Sequence, residues 1–258
     1  MQQIVVHAGF HKTGTTTIQS FLQANGKHLW PHMALVLPAR INEITKIATM
    51  HSVMRDPLSR DEFHYRLVTF LRTLDIGKKR HLCISSENLA GLIPGRSGKE
   101  SYAGCDSLMA TIKDALQEVF GPTLPITFYL STREAESWLR SSYWQNLRAS
   151  DLKMDFETYA ATYQSAADFQ PIIDDTRAAL GDTPLLTTAL EDTIHTEFGP
   201  ATPIIDLFPL PAVTRALLAK PMRQNLSPDA ATIAEILTLN RSGLDGETRD
   251  IRKKALLD

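Results

Sequence analysis

One short stretch constrains the fold more than any other. The β-branched run Ile4-Val5-Val6-His7 ends in a glycine-containing turn, Ala8 to Gly14, and Ile18, Phe21 and Leu22 then recur at helical spacing. Strand, loop and helix follow one another directly. The alternation continues. Met33 to Leu37 is a second apolar run, stopped by Pro38, and helical patterns follow over roughly 42–54 and 60–74. The second carries Phe63, Leu67, Phe70 and Leu71 on one face. His81 to Ser85 reads as a compact strand closed by Ser86-Glu87-Asn88, and a helix near 106–119 ends at Gly121. Ile126-Thr127-Phe128-Tyr129-Leu130 is the clearest buried strand, followed by a helix with Trp138, Leu139 and Tyr143. Strands alternating with helices predict an α/β fold, a parallel sheet flanked by helices on both faces.

The 258 residues show no internal repeat, low-complexity tract or linker, so one domain over 1–258 is expected. Its part from about 150 to 258 reads as mostly helical, packed on the sheet, with one more strand at Leu185 to Leu190. A formal charge of −2, from 27 Lys+Arg against 29 Asp+Glu, argues against a nucleic-acid partner but leaves room for a local basic pocket. Cys83 and Cys105 are too few for a disulfide framework and read as reduced and buried. No apolar run approaches the roughly 18 residues of a membrane span. Met1-Gln2-Gln3 lacks the basic start of a signal peptide, so a cytoplasmic protein without a transmembrane segment is expected. His28 and His32 have metal-like spacing, but Pro31 interrupts them and no metal site is expected. Lys78-Lys79-Arg80 and Arg252-Lys253-Lys254 read as solvated basic runs. Pro94 to Lys99 is the most loop-like segment and reads as a mobile lid.

The chemistry concentrates in Gly9-Phe10-His11-Lys12-Thr13-Gly14-Thr15-Thr16-Thr17, between the first strand and the first helix. A loop there offers backbone N–H groups and a helix N-terminus to an anion. Thr15, Thr16 and Thr17 add hydroxyls and Lys12 adds a full charge; the plainer reading is an ordinary turn whose threonines only cap. A nucleoside-triphosphate loop places its lysine directly after the second glycine, followed by a Ser/Thr for magnesium. Here Thr15 follows Gly14 and the lysine comes two residues before it.

The stretch His11-Lys12-Thr13-Gly14-Thr15-Thr16 resembles the 5′-phosphosulfate loop of the sulfotransferase family, Pro-Lys-(Ser/Thr)-Gly-Thr-Thr, with only the proline departing. The surrounding residues look like the bacterial, carbohydrate-type branch. That resemblance implies an arginine at the end of a later strand and a serine eight residues on, gripping the 3′-phosphate of 3′-phosphoadenosine 5′-phosphosulfate (PAPS). Arg133 and Ser141 stand in those places after the strand Ile126–Leu130. Arg223, in Arg223-Gln224-Asn225-Leu226-Ser227-Pro228, resembles a late segment that approaches the nucleotide, and Ser227-Pro228 reads as a helix start. An adenine-stacking aromatic is missing, since Thr17 occupies its position.

The resemblance therefore implies a phosphate-loop-type sulfotransferase, using PAPS as donor and no metal, with a small-molecule or glycan acceptor. Lys12 is expected to stabilise the transferring sulfuryl and the leaving phosphate. Glu87, just past the strand His81–Ser85, is the first candidate for general base; Ser85-Ser86-Glu87-Asn88 resembles the segment carrying the family's catalytic residue. His11 and His51 are its rivals. The competing functional readings are a phosphate-loop kinase and a nucleotide-binding module without catalysis.

Overall fold

The computed structural model describes residues 2–77, 80–221 and 229–257. Five strands form one sheet: β1 (Ile4–His7), β2 (Met33–Val36), β3 (His81–Ser85), β4 (Ile126–Thr132) and β5 (Leu185–Ala189). Their order is β2-β3-β1-β4-β5 and every pairing is parallel. Central β1 is buried at all four residues, because a strand between two others with helices on both faces meets no solvent.

Between the strands run α1 (Thr15–Ala24), α2 (Gly26–Leu29), α3 (Pro38–Met54), α4 (Pro57–Arg72), α5 (Cys105–Phe120), α6 (Ala135–Ala149), α7 (Phe156–Tyr163) and α8 (Gln170–Leu180). After β5 come α9 (Leu190–Thr193), α10 (Thr202–Asp206), α11 (Ala212–Ala216), α12 (Ala230–Arg241) and α13 (Gly246–Leu257). Alternation along β1 divides the core. Ile4 and Val6 point into a large cluster with residues of α3 to α8, while Val5 joins Ile18, Phe21, Phe198, Ile204 and Ile205 on the other face. The crossover from β1 runs towards one edge of the sheet, and those from β2, β3 and β4 run towards the other. The order thus reverses at β1, and in open parallel sheets such a reversal opens a crevice at the strands' C-terminal ends.

Several boundaries differ from the sequence reading for local reasons. Pro38 does stop β2, but it also opens α3, because proline's fixed φ suits the first helical position. Pro57 opens α4 likewise, with Asp56 capping through the Ser59 N–H. The expected helix start at Ser227-Pro228 lies outside the described residues, as does Arg223; α12 begins after Asp229, whose carboxylate accepts from the Thr232 N–H. Both cysteines are buried and free, and burial pushes each thiol up to about 12.

The basic run at 252–254 is a correction. Lys253 is only 3% exposed, and its ammonium donates to the carbonyls of Leu147 (3.0 Å) and Ser150 (2.5 Å). Asn240 donates to the Leu147 and Leu152 carbonyls beside it. A lysine at a helix C-terminus satisfies carbonyls that the helix itself leaves open, which makes its burial tolerable. Lys253→Met keeps the apolar stem but removes these charge-assisted bonds. We expect it to lower stability by about 2–3 kcal/mol, read as a clear drop in melting temperature. Lys254→Met is the control and should stay within about 0.5 kcal/mol of the parent. Equal melting temperatures for the two variants would contradict the clamp.

Candidate functional site

Parallel strands bring the loops after β1, β3 and β4 to one edge. His7, the last residue of β1, lies opposite Ser85 of β3 and Tyr129 of β4. Its Nδ1 is 2.8 Å from Ser85 Oγ and its Nε2 3.5 Å from Ser131 Oγ. Burial pushes the His7 imidazole down to about 3, so it is neutral at physiological pH. Thr13 Oγ1 donates to the Phe10 carbonyl and lies 2.6 Å from Ser131 Oγ. Thr13 is fully buried, main chain and side chain alike. Gly9 closes this polar floor. A Cβ there would lie 2.7 Å from His7 Nε2 and 2.9 Å from Ser131 Oγ, and its φ of +40° favours glycine besides.

Above the floor, one side chain of the β4–α6 connection and one of α6 each take a loop carbonyl. Trp138 Nε1 donates to the His11 carbonyl (2.9 Å), and Arg133 Nη1 donates to the Lys12 carbonyl (3.1 Å). Lys12 adopts a left-handed φ of 67°, uncommon for a residue with a side chain. Gly14 then precedes α1, which has neither a side-chain cap nor an acidic residue in its first turn. Its first N–H groups are therefore available to an anion. Thr15 is buried at that helix start, Thr16 is exposed and Thr17 half-buried.

The Lys12 ammonium is half-buried, and burial, then the charges of Arg148 and Arg133, hold it below the ordinary lysine value; Glu87 pulls the other way. Glu87 stands just beyond β3, and its Oε2 accepts from Gln19 of α1 at 2.7 Å. Arg133 keeps its Nε buried and unbonded, 4.0 Å from Glu191 Oε1, too far for a hydrogen bond. Ser141 lies half-buried two turns along α6, and no hydrogen bond joins it to Arg133. Lys12, Gly14, Thr15 to Thr17, Glu87 and Arg133 thus converge, while the place of Ser141 is fixed only by its helix.

The two histidine rivals are both committed elsewhere. His11 Nε2 donates to Asn88 Oδ1 (3.0 Å), leaving Nδ1 to accept from the Tyr102 hydroxyl (3.2 Å), which itself accepts from the His11 N–H. Burial holds His11 below the ordinary histidine value against the pull of Glu87. His51 lines a separate cavity of about 280 Å³ with Arg55, Ser107, Asp106 and Tyr102. Its ring nitrogens are bonded to Ser59 Oγ (2.8 Å) and Ser107 Oγ (3.0 Å). Pro94 to Lys99, expected as a lid, is tied to α6: Asn146 Nδ2 donates to the Pro94 carbonyl and its Oδ1 accepts from Arg96 Nε.

Sequence reading missed His7, Ser131, Trp138 and Tyr102, which build the floor and hold the loop. Only the place of His7 and Ser131 within two β-strands at one sheet edge hinted at them. Among the described residues, no helix is long and apolar enough to cross a membrane. No family model matches the chain, and no curated protein shows significant similarity to it.

Proposed function

We propose that this chain is a sulfotransferase with a phosphate-loop-type site, moving a sulfuryl group from PAPS to an acceptor hydroxyl. The acceptor is taken as a carbohydrate, on the sequence resemblance alone. The bond from Arg133 to the Lys12 carbonyl carries the reading, because it fuses two motifs 121 residues apart into one cationic unit. A nucleotide with phosphates at both its 5′ and 3′ ends suits such a unit, the former on Lys12 and the uncapped start of α1, the latter on Arg133 with Ser141 nearby.

In the transfer, the acceptor oxygen attacks sulfur in line as the bond from sulfur to the bridging phosphate oxygen breaks. Lys12 and the N–H groups of α1 stabilise the charge growing on the departing 5′-phosphate. Glu87 takes the acceptor's proton on Oε1, the oxygen that Gln19 does not occupy. Adenosine 3′,5′-bisphosphate and the sulfated acceptor then leave.

Calorimetry tests the nucleotide first. Adenosine 3′,5′-bisphosphate should bind at least about tenfold more tightly than AMP, with or without magnesium. Arg133→Ala should weaken it by about tenfold or more, since a charge-assisted bond contributes about 1.5–3 kcal/mol. Equal affinity for the two nucleotides would overturn the 3′-phosphate assignment. Preference for magnesium-ATP would favour a kinase, and tight binding without any transfer an inactive module.

A further inference from the structure

We propose that Arg96 and Arg148 form an acceptor subsite that holds an oxyanion, a carboxylate or sulfate ester carried by the same sugar chain whose hydroxyl is sulfated. The proposal rests on the sulfuryl-transfer reading and adds the class of acceptor to it.

Arg96 is a built feature rather than a loop charge. Its turn closes on itself through the Gly95 N–H to the Lys99 carbonyl (2.8 Å) and the Lys99 N–H to the Arg96 carbonyl (2.9 Å). Asn146 clamps it from α6, accepting from Arg96 Nε at 3.0 Å while donating to the Pro94 carbonyl and the Tyr159 hydroxyl. Gly95 is needed for the close approach: at φ +91°, an added Cβ would lie 2.4 Å from Asn146 Nδ2. With Nε so fixed, Nη2 is left buried with no hydrogen-bond partner. Native proteins rarely leave a charged donor unsatisfied without a reason.

Arg148 follows Asn146 by two residues and, among the described residues, bonds a neutral partner, Gln145 Oε1, through Nε (3.2 Å) and Nη2 (2.7 Å). Arg66, Arg72, Arg140, Arg177 and Arg215 each have a carboxylate within 4.0 Å, whereas neither Arg96 nor Arg148 does among the described residues. The charge of Arg148 also acts on both Lys12 and Arg96, so three cations share one region without a matching number of carboxylates. Gathering like charges is unfavourable unless an anion completes the site.

The donor does not account for this surplus. Arg133 precedes α6 and Arg148 sits in its last turn, about 20 Å further along at 1.5 Å per residue. They cannot grip the same phosphate. The charges of both act on Lys12, and on this proposal Arg133 serves the donor and Arg148 the acceptor. Ser141 and Arg148, seven residues apart, share one face of α6.

The test titrates the protein with three tetrasaccharides, each in the absence and presence of adenosine 3′,5′-bisphosphate. One contains glucuronate, the second is the same chain with its carboxylates reduced to alcohols, and the third is that reduced chain bearing sulfate esters. An anionic probe should bind at least tenfold more tightly than the reduced one. Whether the glucuronate or the sulfated chain does so identifies the oxyanion. Arg148→Ala, at an exposed position, should remove most of that preference with the melting temperature unchanged. Arg96→Ala should also remove it, but with a lower melting temperature, because it leaves the buried Asn146 Oδ1 without its donor. Arg148→Lys should restore part of it. Equal affinity for all three chains, or a preference that survives in both alanine variants, overturns the subsite. If the nucleotide fails to bind while the anion preference and its loss in the variants persist, the subsite stands and the sulfuryl-transfer reading falls.

Discussion

Glu87→Gln should lower single-turnover sulfuryl transfer by about 10²–10⁴ while leaving nucleotide affinity and the melting curve unchanged. Glutamine is nearly isosteric, and position 87 keeps an oxygen for the Gln19 amide, now accepting from it at 2.7 Å. What disappears is the ability to accept a proton. His11→Asn and His51→Asn should cost far less in rate. Both imidazoles already have each nitrogen bonded within the protein, to Asn88 and Tyr102 or to Ser59 and Ser107. Parental turnover in Glu87→Gln, with a large loss in His51→Asn, would transfer the base to the cavity around His51.

Lys12→Ala should reduce kcat/KM by about 10²–10³, the scale seen when one preorganised donor to a developing anion is removed. The pH profile distinguishes its charge from its bulk. Lys12 is held below the ordinary lysine value by burial and then by Arg148 and Arg133. The ammonium is the working form, so the rate should fall with rising pH at a value lower than an ordinary lysine would give. Removing one of the charges that depress it moves that limb upward. Arg148→Gln, measured as kcat/KM for the donor at saturating acceptor, should therefore hold its activity to higher pH than the parent. An alkaline limb unmoved by Arg148→Gln would mean that Lys12 is not the titrating group.

How much of this was legible before the structure depended on whether a residue's meaning was local. The strands β1, β3 and β4 announce themselves as short runs rich in apolar residues, and Lys12, Glu87 and Arg133 stand out because each follows the end of one. Parallel topology then does the rest, placing all three loops at one edge. Residues defined by distant partners stayed hidden. Lys253 looks like any solvated lysine until its carbonyl acceptors, 106 and 103 residues away, come into view. Arg96 lies among glycines and a serine that read as free loop, yet Asn146, 50 positions on, holds it in place. His11 reads as a titratable neighbour of the phosphate loop, and only the fold delivers Tyr102 and Asn88 to occupy it.

The two bonds from Trp138 and Arg133 to consecutive loop carbonyls bear on how portable this loop is. A carbonyl facing the cleft would repel the anion that the neighbouring N–H groups attract, so the loop's polarity is set by side chains that are not in it. The segment 9–17 and the segment 131–138 are therefore one structural unit in two pieces. Grafting the first alone onto another strand–helix scaffold would transplant the sequence without the two donors that orient its carbonyls. Substitution at Trp138 or Arg133 would free these two carbonyls while the loop's own residues remained intact.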